Sequence, residues 1–301
     1  MVFASIIIPT CNRVEDLQRC LEALCPQVLN DGSIEVIVTD DGRTEGSKAM
    51  MEEHFPSFLW VRGPRRGPAA NRNFGVSLAA GRWLIFLDDD CLPASDYLAA
   101  YLRRLRDVKT ETGVMFIGPT VRMEGSLTLL WEAPHNPRCL SAISCNLVMH
   151  RDDFVRVGKF DERYPVAAFE DTEFEARCRC HQLSIEAVQG AVVNHPLRKR
   201  PPAGKLAARW EGNAIFAFDQ GASFWNVLIR LPWHALRVIQ ARFRKQAWCS
   251  DTLRAVPVFA LEWLFVLTRT PGWALKWSRQ PRSRFWSAWV RPNGPVPKFG
   301  F

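Results

Sequence analysis

The sequence predicts an α/β protein, a Rossmann-like mixed and mostly parallel sheet with helices on both faces, followed by a helical C-terminal appendage. Three observations carry that expectation. Strand-like apolar runs alternate with helix-period segments through the first 120 residues. The polar clusters TCN (10–12), TDDG (39–42) and LDDD (87–90) each follow the end of a strand-like run, where parallel sheets place their ligands. The charge also divides: residues 1–196 hold 21 Lys and Arg against 27 Asp and Glu, and residues 197–301 hold 18 against 4.

Taken in order, SIIIP (5–9) reads as a short buried strand, and VEDLQRCLEAL (14–24) spaces Val14, Leu17, Leu21 and Leu24 at the helical period. IEVIVTD (34–40) is β-branched and strand-like, and LWVRG (59–63) is a shorter candidate. PAANRNFGVSLAAG (68–81) has Pro68 in a first helical turn and Gly81 past the end. RWLIFLDD (82–89) is the fourth strand, ASDYLAAYLRRL (94–105) a helix and VMFIGPTV (114–121) a fifth strand. Further on, SAISCNLVMH (141–150) reads as a strand and RDDFVRVGKF (151–160) as a short helix and turn. EDTEFEARCRCHQL (170–183) reads as a helix, and IEAVQGAVVNH (185–195) as a strand or strand pair. A boundary near 200, at HPLRKRPPAG, separates a domain of residues 1–200 from the region 201–301. Within the first, 1–120 form one half and 121–200 the other.

Hydrophobic content of 48% with 23% charged residues argues against disorder. The nine cysteines form no CxxC pair and read as reduced thiols of a cytoplasmic protein. The N-terminal stretch lacks the basic region of a signal peptide, and no run reaches the roughly 20 apolar residues of a spanning helix.

The aspartates 88–90 raise the question of what neutralises them. On extended chain, Asp88 and Asp90 point to one side and Asp89 to the other. A pair of carboxylates so placed suits Mg²⁺ or Mn²⁺, though three aspartates also read as a solvated loop or a cap for the helix near Ala94.

Taken together, these motifs make the chain resemble the family-two, GT-A-fold inverting glycosyltransferases over residues 3–196. The resemblance rests on ASIIIPTCNRVEDLQRCLEAL, EVIVTDDGRTEGS, RGPAANRNFGVSLAAGRWLIFLDDDCLP and GKFDERYPVAAFEDTEFEARC, which follow one another in the family's order. It implies a nucleotide-diphospho-sugar transferase fold, with a nucleotide-binding half before 120 and an acceptor-binding half after it. Pro9, Thr10 and Asn12 would lie against the nucleotide, and Asp40 or Asp41 would accept from its base. Arg72 and Asn73 would face nucleotide and phosphates. Asp88 and Asp90 would form the D-x-D that holds Mn²⁺ or Mg²⁺ on the diphosphate, with Asp89 contributing from the other side. The neutralising charge is then expected to be a metal that arrives with the donor.

The same resemblance makes Asp171 the general base, with Glu170 orienting it or binding the acceptor; both also suit a helix N-terminus. His195 resembles a histidine that reaches metal or diphosphate in some relatives, and Asn146 falls in a segment that lines the donor-sugar or acceptor pocket. Each is equally an ordinary structural residue. DDGRTEG departs from the family's D-D-G-S-x-D, and Arg43 adds a cation that puts the preference for uridine in doubt.

The C-terminal region carries nine of the 12 tryptophans. WNVLIRLPWHALRVIQARFRKQAW (225–248) interleaves them with cations, as amphipathic helices at anionic membranes do. It also suits a helical appendage packed on the catalytic domain; no nucleic-acid module is recognisable. The expectation is a UDP-sugar-dependent inverting transferase acting on a glycan or lipid-linked acceptor in surface polysaccharide or glycolipid synthesis, peripheral on the inner face of the cell membrane. The competing reading is a non-catalytic membrane-associated scaffold that binds nucleotide sugars.

Overall fold

A computed structural model describes residues 2–29, 31–123, 128–244, 250–283 and 285–286. In chain order the first elements are β1 (Ala4–Thr10), α1 (Val14–Val28), β2 (Ile34–Asp40), α2 (Gly46–His54), β3 (Leu59–Arg62), α3 (Pro68–Leu78) and β4 (Trp83–Leu87). Then come β5 (Leu92–Pro93), α4 (Tyr97–Arg106), β6 (Val114–Ile117), β7 (Thr120–Arg122), β8 (Trp131–Glu132), β9 (Asn146–His150) and α5 (Arg151–Val157). The remainder are α6 (Glu170–Cys180), β10 (Ser184–Ala187), β11 (Val193–His195), β12 (Arg198–Lys199), α7 (Ala203–Ala208), α8 (Trp210–Asp219), α9 (Phe224–Arg244) and α10 (Ser250–Ser278).

The chain divides into two units. The first comprises residues 1–124, 133–165 and 170–196, and the second 125–132, 166–169 and 197–301.

A seven-stranded sheet ordered β10-β6-β9-β4-β1-β2-β3 forms the first unit. Strands β3, β2, β1 and β4 are parallel, and β9 runs antiparallel to both β4 and β6. Alternation sorts the apolar side chains: Ile6 and Ile8 pack with Leu17, Leu21 and Leu24 of α1 on one face. Ile7 and Phe86 pack with Val76, Phe154 and Phe174 on the other. Each such isoleucine, wholly buried, contributes about 2 kcal/mol. Gly75 lets α3 lie close on β1, since a Cβ there would fall 2.6 Å from Ile7 Cγ2.

Several expected elements change extent for physical reasons. The run 114–121 breaks at Gly118-Pro119: β6 stays in the main sheet, and β7 joins a three-stranded sheet ordered β5-β11-β7. The expected helix 94–105 begins at Tyr97, because Leu92–Pro93 pairs with β11. The expected strand 141–150 is extended only from Asn146. Helix α2 has no counterpart in the sequence reading; it buries only Ser47, Met50 and Met51 and shows no long apolar period.

In the second unit, β12 pairs antiparallel with β8, and Glu132 accepts from Arg200 and Arg209, each at 2.7 Å. Helices α7–α10 follow, and Glu262 accepts from Trp210 Nε1 at 2.9 Å. Among the described residues no helix is long and apolar enough to cross a membrane. Of the amphipathic stretch 225–248, residues 245–248 lie outside the described residues, as do 287–301 of the C-terminal region.

Candidate active site

Strand β4 ends at Leu87, and the chain turns at once, Cys91 N–H donating to the Asp88 carbonyl at 3.1 Å. The side-to-side alternation of extended chain therefore stops before the aspartates. Asp88 and Asp90 do not share a side. Instead one Arg13 nitrogen, Nη1, stands 2.9 Å from both Asp89 Oδ1 and Asp90 Oδ2. Thr10 Oγ1 donates to Asp89 Oδ2 at 2.7 Å, and Asp88 turns away to accept from Arg72 at 2.7 Å. The cations beside the triplet are thus built into the chain, one on each side, which corrects the expectation of a wholly borrowed charge. Burial pushes the Asp89 carboxyl up to about 7 despite the opposing Arg13 guanidinium.

Sequence reasoning passed over Arg13. The available signal was its place in TCNR, between the end of β1 and the first turn of α1.

Opposite Arg13, His195 brings Nε2 to 3.3 Å from Asp90 Oδ1, with its Nδ1 at 2.9 Å from the Pro196 carbonyl. Both side chains are 1% exposed. Among the described residues, Asp90, Cys91 and His195 bring ligand atoms within 4.8 Å of one another. A carboxylate oxygen and an imidazole nitrogen suit Mn²⁺. Hydrogen bonding with Cys145 and burial raise the Cys91 thiol well above its ordinary pKa, so it stands there as a protonated, weak ligand. Asp88 is not part of this group.

Arg72 of α3 links the triplet to the start of α6. It is 3% exposed and donates through Nη2 to Asp88 and through Nη1 to Glu170 Oε1 at 3.2 Å. Although burial opposes it, the carboxylates of Asp88 and Glu170 hold this guanidinium firmly protonated. Glu170 is pushed up to about 7 by burial and by Asp171 beside it. Asp171 is half-buried, accepts from Thr172 N–H at 2.8 Å, and is also raised by burial. Asn73, the neighbour of Arg72, has another task. Its amide accepts from Phe160 N–H at 3.1 Å and donates to the Phe160 carbonyl at 2.9 Å and to Glu162 at 3.1 Å, pinning the segment after α5.

On the β1–β2 side, register pairs Pro9 with Thr39 and Thr10 with Asp40. Asp40 is 2% exposed and spends its carboxylate locally, accepting from Gly42 N–H at 2.6 Å and from Ser47 Oγ. It makes the turn; Asp41 is the more accessible of the two. Asn12 adopts a left-handed φ of 54° and accepts from Arg43 N–H at 3.1 Å, tying the two loops together. Asp41 Oδ1 accepts from Arg65 N–H at 2.8 Å. A Cβ on Gly63 would lie 2.3 Å from Asp41 Oδ1 and 2.4 Å from Asn71 Oδ1, so two side-chain oxygens converge above that glycine. The Asn71 oxygen is buried without a hydrogen-bond partner, while its nitrogen donates to the Thr39 carbonyl at 2.8 Å. Asn71 was not singled out from sequence.

Asn146 lies apart from these groups. It is 1% exposed, accepts from Tyr101 OH at 2.6 Å, and donates to the carbonyls of Ala191 at 2.9 Å and Pro119 at 3.1 Å. Its capacity is used inside the protein, where it ties β9 to the chain leaving β6.

This arrangement, acidic turns at the carboxyl ends of parallel strands facing an acidic helix start, is the architecture of GT-A glycosyltransferases. Residues 5–140 match the family model for glycosyl transferase family 2. The glycosyltransferase AglE of Haloferax volcanii is 27% identical over 221 residues, covering 68% of this chain and 69% of that protein. A PGL/p-HBAD biosynthesis glycosyltransferase of Mycobacterium bovis is 30% identical over 198 residues, covering 63% and 74%. The mannosyltransferase PcManGT of Pyrobaculum calidifontis, solved with GDP-Man and Mn²⁺, superposes with a TM-score of 0.55 at 16% identity, covering 91% of this chain and 86% of that one. The chain belongs to glycosyl transferase family 2.

Proposed function

We propose that the protein transfers a sugar, with inversion, from a UDP-sugar to a glycan or lipid-linked acceptor in surface polysaccharide or glycolipid synthesis. Catalysis is assigned to residues 1–200, and peripheral contact with the inner face of an anionic membrane to the region 201–301. The observation that carries the reading is the Arg72 bridge, which sets the Asp88–Asp90 turn against Glu170 and Asp171 across one site.

In this reading the oxygens of Asp41 and Asn71 above Gly63 receive the imide N–H of uracil. Asp90 and His195, assisted by the donor's own phosphates, hold Mn²⁺ or Mg²⁺. The bound ion supplies charge neutralisation for the departing diphosphate. Arg72 keeps Asp88 in place beside it. Asp171 takes the proton of the acceptor hydroxyl as that oxygen forms its bond to the anomeric carbon, and the bond from that carbon to the diphosphate breaks on the opposite face. Glu170, held by Arg72, orients Asp171 or the acceptor.

The test is donor turnover with and without Mn²⁺ in wild type, Asp90→Asn and Asp171→Asn. Loss of about 10²-fold or more in each variant is expected. Full activity in both would sink the assignment.

A further inference from the structure

Helix α9 presents two apolar rows, one buried and one exposed. Val227, Leu231, Ala235 and Ile239, four residues apart, form a buried row. Trp225, Ile229 and Trp233 form a second four-residue row that is 66%, 59% and 61% exposed. Beside that outer row run Arg230, Arg237 and Arg244, seven residues apart and all exposed. Seven-residue spacing nearly closes two helical turns, so the three cations line one edge of the apolar stripe.

Each end of the arginine line opens into a cavity. Arg230 shares a pocket of about 260 Å³ with Asn226 and Gln220, whose side-chain amide has buried oxygen and nitrogen atoms without partners. Arg244 sits at a groove of about 520 Å³ between α9 and α10, lined by Leu236, Phe243, Val256, Phe259 and Trp263. A pocket holding Arg230, Asn226 and Gln220 among apolar side chains, a line of cations beside exposed indoles, and an apolar groove match the headgroup, phosphate and chain of one kind of partner.

We infer that α9 lies in the plane of an anionic lipid leaflet, its Trp225–Trp233 row in the headgroup–acyl boundary and its arginines on the phosphates. The groove at Arg244 takes an acyl chain. Charge complementarity fixes the partner: residues 197–301 carry 18 basic against 4 acidic side chains, so a leaflet rich in phosphatidylglycerol is preferred to a neutral one. The inference deepens the peripheral-membrane part of the proposed function. Vesicle binding is read without donor turnover, so the two fail separately.

The experiment is sedimentation of the full chain with phosphatidylcholine vesicles and with vesicles rich in phosphatidylglycerol, alongside thermal melting of each variant. Wild type is expected to bind the anionic vesicles and to release them in high salt. Arg230→Gln/Arg237→Gln/Arg244→Gln is expected to lose about a hundredfold in partitioning, on the order of fivefold per arginine, with its melting temperature kept. Trp225→Ser/Trp233→Ser is expected to lose binding while remaining folded. The idea is overturned if wild type ignores anionic vesicles, if both variants bind as wild type does, or if the outer row instead pairs two copies in sedimentation velocity. Single-stranded oligonucleotide bound in preference to vesicles would overturn it equally.

Discussion

Asp90 and His195 meet at 3.3 Å in a place where each is 1% exposed. In the proposed function this buried carboxylate and imidazole, with the Cys91 thiol nearby, seat the cation. Mn²⁺ at about 100 times its dissociation constant is expected to stabilise wild type by about 2.7 kcal/mol, a shift of a few degrees in melting temperature. Asp90→Asn and His195→Ala are expected to abolish the shift, and Cys91→Ser to retain it. A shift that survives His195→Ala places the ion elsewhere.

Arg13 competes for the same carboxylates. Its Nη1 touches Asp89 and Asp90 at 2.9 Å, so it repels any cation bound nearby. Arg13→Gln is expected to tighten Mn²⁺ binding about fivefold or more, corresponding to roughly 1 kcal/mol or more of relieved repulsion. Calorimetric titration decides this. Weaker binding in the variant would mean that Arg13 chiefly holds the carboxylates in place.

The proposed role of Asp171 as base predicts a pH profile. Burial raises its pKa, and a base works only when deprotonated, so activity is present above that pKa and lost as pH falls through it. The acid limb of kcat/KM is therefore expected above the ordinary aspartate value of about 3.9. Charging a partly buried carboxylate works against folding, so Asp171→Asn is expected to melt no lower than wild type at neutral pH while losing turnover. An acid limb at the solvated value would remove Asp171 as the base.

Asn146 is expected to behave as a structural residue. Asn146→Ala removes partners from Tyr101 OH and two carbonyls in a fully packed place, costing about 2–3 kcal/mol. A lower melting temperature with an unchanged donor KM is the expected pair of results. A raised KM in a protein of normal stability would return this side chain to the sugar pocket.

What could be read from the chain follows the range of the forces involved. Strands β1, β2 and β4 and helix α1 announce themselves by local periodicity, and the acidic turns by their position after the strands. Helix α2 has little apolar period of its own, and its place is set by burial of Met50 and Met51. Within the site, the alternation rule misplaced Asp88 because it holds only while chain is extended, and the turn to Cys91 begins at Asp88. Arg13, Arg72 and Glu170 become partners only through tertiary folding, so which cation faces which carboxylate was beyond sequence spacing. Asn71 was missed for the same reason, since its orphaned oxygen is evident only beside Gly63.

The insertion of β9 between β4 and β6 bears on how the chain is made. When β4 leaves the ribosome, the strand that will cover its outer edge lies at Asn146–His150 and has not been synthesised. Strand β6 emerges earlier, but it pairs with β9 and β10 and so also has no partner yet. During that interval the nascent sheet shows two open edges, the condition that invites intermolecular pairing. A pause in translation between β6 and β9 would prolong that open-edged interval.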